Sequence, residues 1–134
     1  MRIVLDTNVL VSGLLNPDGA PGRLIDLILG GHHRILYDDR ILVEYIDVLA
    51  RPDLKISDDL AKAVIGYFRL SGERITALPL PIDELPDQDD LPFLEVALSR
   101  EADALITGNA RHFQSQKGHG VKIESPATFI AQMT

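Results

Sequence analysis

Short apolar runs alternate along the chain with amphipathic stretches, and each run ends at polar residues. The first run, Arg2-Ile3-Val4-Leu5, stops abruptly at Asp6-Thr7-Asn8 and has the length of a buried strand. Runs of this kind predict five strands, at 2–5, 35–37, 74–78, 104–107 and 121–123. Because the strands are separated by helical patterns, we expect βαβ units and therefore parallel pairing.

The stretches between the strands carry apolar residues at helical spacing. Leu42, Tyr45, Ile46 and Leu49 recur at i, i+3, i+4 and i+7, which is one face of a helix that ends before Pro52. Similar patterns predict helices over 9–15 and 22–29, after Ser57, around 93–98 and after Ser125, with a loop over 79–92. The predicted fold is α/β, with three layers (α/β/α) around a central parallel sheet of four to five strands. We expect one domain over residues 1–134.

The amino-acid composition excludes some kinds of stabilising bond and metal site. Apolar residues make up 46% of the chain, which is ample for one buried core, and there are no cysteines. Disulfides and thiolate metal sites are therefore excluded. No signal peptide is readable, and the apolar runs are far shorter than the roughly 20 residues of a membrane helix. These features predict a cytoplasmic protein without membrane association.

The net charge of −7 argues against nucleic-acid binding when it is taken alone. The charges are unevenly placed, however. Residues 83–90 hold five acids and no cation, whereas residues 104–123 hold Arg111, Lys117 and Lys122 and no acid. A divalent ion bound among acids would lower the repulsion felt by a phosphate. Chance scatter explains the unevenness equally well.

Polar groups follow several predicted strands at the edge where parallel sheets bind ligands. The candidates are Asp6, Thr7 and Asn8 after the first strand, Asp38-Asp39 and then Glu44 after the second, Asp87, Asp89 and Asp90 in the long loop, and Thr107, Gly108 and Asn109 after the fourth. Oxygen ligands favour Mg²⁺ or Mn²⁺, which can activate water for phosphodiester hydrolysis. Asp103 precedes its strand, so we expect it more than about 10 Å from this edge.

Each acid also has a simpler interpretation. Asp6, and one of Asp89 and Asp90, could cap the helices that follow them. Glu44 could be a surface charge paired with Arg40 or Arg51. Asp38-Asp39 fits a helix cap better than a ligand pair. Their joint placement at one edge is what favours a metal site. Receiver domains and aspartate phosphatases fit poorly, because the first strand ends in one acid and Asn8 stands where the phosphatases need another.

Four segments together resemble the motifs of PIN-domain proteins. They are Val4-Leu5-Asp6-Thr7-Asn8-Val9-Leu10, Leu42-Val43-Glu44-Tyr45, 87–94 (Asp-Gln-Asp-Asp-Leu-Pro-Phe-Leu) and Ala104-Leu105-Ile106-Thr107-Gly108-Asn109. Their order and spacing span nearly the whole chain and are most similar to the stand-alone VapC-type toxins of toxin–antitoxin modules. The resemblance implies that Asp6, Glu44 and Asp90 are the catalytic, metal-binding acids, supported by Asn8 and Thr107.

The chain departs from the family pattern at one position. The fourth acid of the family corresponds here to Asn109, whose amide oxygen can ligate a metal but brings no charge. Asp87, Asp89 and Asn109 are therefore further candidates for metal ligands. The departure also keeps open an alternative function, in which a weak or inactive PIN-like domain serves as a binding module.

The resemblance further implies Mg²⁺ or Mn²⁺ dependence, an endoribonuclease activity, a cognate antitoxin partner and homodimers. Arg111, Lys117 and Lys122 follow the carboxyl edge of the fourth strand in sequence, so they are candidate contacts for the RNA backbone.

Overall fold

Five parallel strands form the centre of the fold. The computed structural model describes residues 1–79, 88–110, 113 and 121–133. The strands are β1 (Arg2–Leu5), β2 (Arg34–Tyr37), β3 (Glu73–Arg74), β4 (Ala104–Ile106) and β5 (Lys122–Glu124). The helices are α1 (Thr7–Leu15), α2 (Ala20–Leu29), α3 (Asp39–Leu49), α4 (Asp58–Ser71), α5 (Leu91–Ser99) and α6 (Pro126–Ala131).

The strand order is β3-β2-β1-β4-β5, and every pair is parallel. The chain builds outward from β1 to β3 and then returns to the other side of β1, so the order reverses between β1 and β4. Ile3, Val4 and Leu5 are all fully buried, which means that both faces of the central strand are covered. The predicted three-layer α/β/α fold with a parallel sheet is confirmed.

Side-chain caps fix where α3, α4 and α6 begin. Asp38 accepts a hydrogen bond from the Ile41 amide at 3.0 Å, so the capping interpretation of this acid is confirmed. Ser57 and Ser125 cap α4 and α6 in the same manner, through amides three residues further along the chain. The start of α3 matters most for function, because this helix carries Glu44.

The third strand differs from its prediction. The sequence pattern predicted a strand over 74–78, whereas β3 covers only Glu73–Arg74. Its neighbour β2 ends at Tyr37, whose carbonyl still accepts a bond from the Ile75 amide. Beyond that point Asp38 turns the chain into α3, so residues 76–78 have no partner strand to pair with. Ile75 is nevertheless buried, which explains the apolar pattern.

The starts of α1, α2 and α5 also differ from their predictions. The first helix begins at Thr7 and not at Val9, α2 begins at Ala20 and not at Gly22, and α5 begins at Leu91 and not at Phe93. A short 3₁₀ turn, Gln88–Asp90, leads directly into α5 within the range predicted as loop. In the described ranges, no helix has both the length and the apolar character needed to cross a bilayer.

Candidate metal centre

The ends of β1 and β4 meet where the strand order reverses, and Asp6 and Thr107 lie there. Both side chains are buried, with Asp6 6% exposed and Thr107 fully enclosed. The Thr107 hydroxyl donates to Asp6 Oδ2 at 2.7 Å, and the Asn8 amide donates to Asp6 Oδ1 at 3.3 Å. Asp6 therefore caps α1 and is also held by the neighbouring strand, so the capping interpretation and the site interpretation do not compete.

Helix α3 brings Glu44 to the same place. The Thr7 hydroxyl donates to Glu44 Oε2, which links the start of α1 to the middle of α3. Next to Glu44, the buried Tyr45 hydroxyl donates to the Leu5 carbonyl at the end of β1. Glu44 is thus fixed against the first strand. The alternative of a surface charge paired with Arg40 or Arg51 is wrong. Arg40 pairs with Asp38 and Glu95, and no ion pair between described residues joins Glu44 to Arg51.

A third acidic segment lies directly before α5. Asp89 and Asp90 belong to the 3₁₀ turn before this helix. Asp90 occupies the N-cap position of α5, yet its side chain makes no capping hydrogen bond. A cavity of about 190 Å³ lies between the three segments. It is lined by Asp6, Thr7, Asn8, Glu44, Val48, Arg51, Asp89, Asp90 and Phe93.

Burial and the neighbouring acids both change the pKa of Glu44 in the cavity. Burial raises the pKa of the Glu44 carboxyl above its ordinary value, while the hydrogen bond from Thr7 opposes this. The negative charges of Asp6, Asp89 and Asp90 raise the pKa further. An acid whose ionised form is disfavoured by its neighbours stands in a site that a cation would stabilise.

We expect Glu44→Gln to stabilise the fold at neutral pH in the presence of a chelator. Because the folded pKa is raised, the stability linked to Glu44 is present below its unfolded pKa and is lost as pH rises through the folded one. Gln keeps an oxygen for the Thr7 hydroxyl but cannot ionise. Melting temperatures of the two proteins should agree near pH 4 and separate by pH 7. A variant that is less stable than the natural protein at pH 7 would contradict this explanation.

The donor chemistry fits a hard divalent ion. Asp6, Glu44, Asp89 and Asp90 offer oxygen ligands alone, which Mg²⁺ and Mn²⁺ prefer. Within the ranges that the structure describes, no three acidic, histidine or cysteine side chains are already grouped so that they could hold one ion. Like charges keep carboxylates apart unless a cation lies among them. The residues fit the ion in type and share a cavity, and binding requires the side chains to draw closer.

Other predicted residues lie elsewhere. The Asn109 amide donates to Thr107 Oγ1 at 3.0 Å, so its backbone supports the Asp6 contact, while its exposed side chain is not among the cavity residues. Lys122 is in register with Ala104 at the start of β5. Lys122 therefore lies at the amino edge of the sheet. The expectation that it lies beyond the carboxyl edge of β4 is wrong. Asp87, Arg111 and Lys117 lie outside the described residues.

Asp103 lies at the amino edge, as expected. Its carboxylate accepts a hydrogen bond from the Arg2 amide at 2.8 Å, at the first residue of β1. Since β1 is four residues long, this places Asp103 about 10 Å or more from Asp6. It provides an acid that is matched to Asp6 in type and remote from the cavity.

Two arginines near the site were predicted only as possible ion-pair partners of Glu44, and the structure gives them other positions. Among the described residues, Arg51 is the one cation that lines the acidic cavity. Arg40 joins α3 to α5, with Nη1 2.7 Å from Glu95 Oε1 and Nη2 2.7 Å from Asp38 Oδ2. Arg51 lies two residues beyond the end of α3 and has extended backbone, so its helical spacing from Glu44 could not place it at the cavity. Nothing in the sequence paired Arg40 with Glu95, 55 residues away.

Comparison with known proteins agrees with this architecture. Residues 2–111 match the family described as PIN domain. A segment of 28 residues is 54% identical to the uncharacterized protein MJ1680 of Methanocaldococcus jannaschii, covering 21% of this chain and only 18% of that protein.

A solved structure has a similar fold. It is described as VapBC2 from Rickettsia felis bound to a DNA fragment from their promoter, and the match has a TM-score of 0.58 and 17% identity. The match covers 93% of this chain and 98% of the other, which at this identity establishes the fold. The family match spans most of the chain and includes Asp6, Glu44 and Asp90. The resemblance seen in the four motifs is thereby confirmed, and the chain belongs to the PIN domain family.

Proposed function

We propose that this protein is a divalent-metal-dependent endoribonuclease that hydrolyses RNA phosphodiesters. The observation that carries the proposal is the single cavity lined by Asp6, Glu44 and Asp90, which come from three separate segments of the chain. The cavity lies beyond the carboxyl ends of the strands, beside the point where the strand order reverses. Parallel sheets place their ligand sites there.

The proposed roles follow from the contacts. Asp6, Glu44 and Asp90 would hold Mg²⁺ or Mn²⁺, which supplies a water of lowered pKa and stabilises charge on the phosphate. Thr107 and the Asn8 amide orient the two oxygens of Asp6, and Thr7 orients Glu44. The Thr7 hydroxyl donates to the Glu44 carboxylate and so favours its ionised form, which is the form that binds cations. Asp89 is a further ligand candidate from the same turn.

The activity is testable with purified protein and a labelled single-stranded RNA. We expect cleavage with Mn²⁺ or Mg²⁺ and none with excess chelator, because the carboxylates cannot activate water without a cation. The metal should also raise the melting temperature of the natural protein. Asp103→Asn is the matched control, and it should cut RNA as the natural protein does. Cleavage that persists in chelator would contradict the proposal.

We also propose that the protein is the toxin of a toxin–antitoxin pair. Membership in the PIN domain family supports this, together with the fold shared with a VapBC2 structure that is bound to promoter DNA. A cognate antitoxin and a homodimer follow as proposals from the same resemblance. Expression in a bacterial host should arrest growth, and coexpression with the protein of the neighbouring reading frame should restore it. Growth arrest that Asp6→Asn does not relieve would contradict a toxic nuclease.

One observation favours a second function. The family's fourth acid is replaced by Asn109, whose exposed side chain does not line the cavity. A domain with too few ligands for catalysis could still bind a partner. Metal that raises the melting temperature without any loss of RNA would favour such a binding module over the nuclease.

A further inference from the structure

One face of α3 runs along the acidic cavity. Glu44, Val48 and Arg51 are spaced at i, i+4 and i+7, and all three line that cavity. The helix continues from Glu44 to Leu49, a rise of about 7.5 Å along the axis, and Arg51 follows two residues later. Arg51, just beyond the end of α3, therefore marks the outer end of a path that starts at Glu44. Val48 lies between them.

Arg51 is exposed, and its side chain forms no ion pair or hydrogen bond with the residues that the structure describes. Arg2, Arg40 and Arg74 each pair with a carboxylate at 3.0 Å or less. Among the described residues, Arg23, Arg34, Arg69 and Arg100 form no ion pair either, and what distinguishes Arg51 from them is that it lines the acidic cavity. Arg51 shares a cavity with four acids and pairs with none of them. Within the described part of the chain, therefore, no group accepts a hydrogen bond from the Arg51 guanidinium.

We infer that Arg51 binds a phosphate of the RNA strand, one that neighbours the phosphate placed among the acids. This rests on the proposed nuclease function and names the part of the substrate that Arg51 holds. A guanidinium presents paired N–H donors that match phosphate oxygens. A strand that crosses the cavity along α3 passes the acids at Glu44 and then reaches Arg51. Arg51 thus gives a polyanion a contact that the acids of the cavity cannot provide.

The inference is tested by RNA binding without cleavage. In the Asp6→Asn background and in chelator, a fluorescent single-stranded oligoribonucleotide is titrated at several salt concentrations. Each phosphate contact on a single strand contributes about −0.7 to the slope of log K against log salt. Arg51→Gln should therefore flatten the slope by about 0.7, and Arg51→Lys, which keeps the charge, should restore most of it.

Arg23→Gln is the matched control. Arg23 is exposed on α2 and does not line the cavity, so its loss should leave the slope unchanged. In the cleaving protein, Arg51→Gln should raise KM about fivefold to tenfold with little change in kcat, because a remote phosphate contact contributes uniform binding.

The outcomes separate the two proposals. If the natural protein cleaves RNA but Arg51→Gln changes neither the slope nor KM, the assignment of Arg51 is wrong. A loss confined to kcat with an unchanged slope also overturns it, and would mean that Arg51 acts on the acids. If the natural protein neither binds nor cleaves RNA, the nuclease proposal itself fails.

Discussion

Replacing Asp6 with Asn should reduce RNA cleavage by at least about 100-fold while the protein stays folded. Loss even of a residue that only supports a ligand costs about 10- to 100-fold in activity, so loss of a ligand charge should cost no less. Asn keeps an oxygen for the Asn8 amide, and the Thr107 hydroxyl can turn to accept from the new amide group. Initial cleavage rates at saturating Mn²⁺ measure the effect, and circular dichroism checks the fold.

The comparison with Asp103→Asn decides what the loss means. Asp103 is a strand-flanking acid bonded to a backbone amide, as Asp6 is, but it lies at the opposite edge of the sheet. A similar loss of RNA cleavage in both variants would indicate that the substitutions disturb the fold and not the proposed metal site alone. Unchanged cleavage in Asp6→Asn would identify a contaminating nuclease and would end the assignment.

Replacing Arg40 with Leu should destabilise the protein by about 2–3 kcal/mol. The guanidinium is the ion-pair partner of Glu95, whose side chain is 4% exposed, and it also bonds Asp38. Removing one partner of a fully buried ion pair costs about 3–5 kcal/mol. The expected cost is smaller here because Arg40 itself is 48% exposed. Urea unfolding at pH 7 measures the change through the transition midpoint.

A second substitution tests the cause. If the cost comes from leaving the Glu95 carboxylate without its cation, then Arg40→Leu combined with Glu95→Leu should recover more than half of the lost stability. Effects of the two substitutions that simply add would contradict the ion-pair explanation and would assign the loss to packing. Arg40 links the helices that carry Glu44 and Asp90, so cleavage by the single variant should fall as well.

Much of the fold could be predicted because the relevant signals are local. Each strand is a short apolar run that ends at a polar residue, and Asp38, Ser57 and Ser125 are capping residues at their helix starts. Parallel pairing followed from the alternation of strands and helices. The length of β3 could not be predicted, because it depends on where its neighbour β2 ends. An apolar residue at position 75 is expected both when the residue is merely buried and when it belongs to a paired strand. The sequence therefore does not distinguish the two cases.

The positions of the acids in the candidate site could be predicted from the sequence, whereas the positions of the cations could not. Asp6, Glu44 and Asp90 are placed by strand ends, a helical face and a helix start, all of which leave marks in the sequence. Lys122 was misplaced because nearness in sequence to β4 says nothing about which end of β5 it occupies. Arg51 was passed over as one of several charges on the polar side of α3, since only the position of α5 shows that this side faces a cavity.

The bond from Tyr45 to the end of β1 has a further consequence. Tyr45 and Glu44 are consecutive residues, about 100° apart around the helix axis, so one faces the core while the other faces the cavity. The hydrogen bond from the Tyr45 hydroxyl to the Leu5 carbonyl opposes rotation of α3 about its axis. The length of the Tyr45 side chain therefore influences the distance between the Glu44 carboxylate and β1. If Glu44 is a metal ligand as proposed, relatives that alter the reach of residue 45 would shift that ligand without contacting it, and their ion preference would change through a side chain outside the metal site.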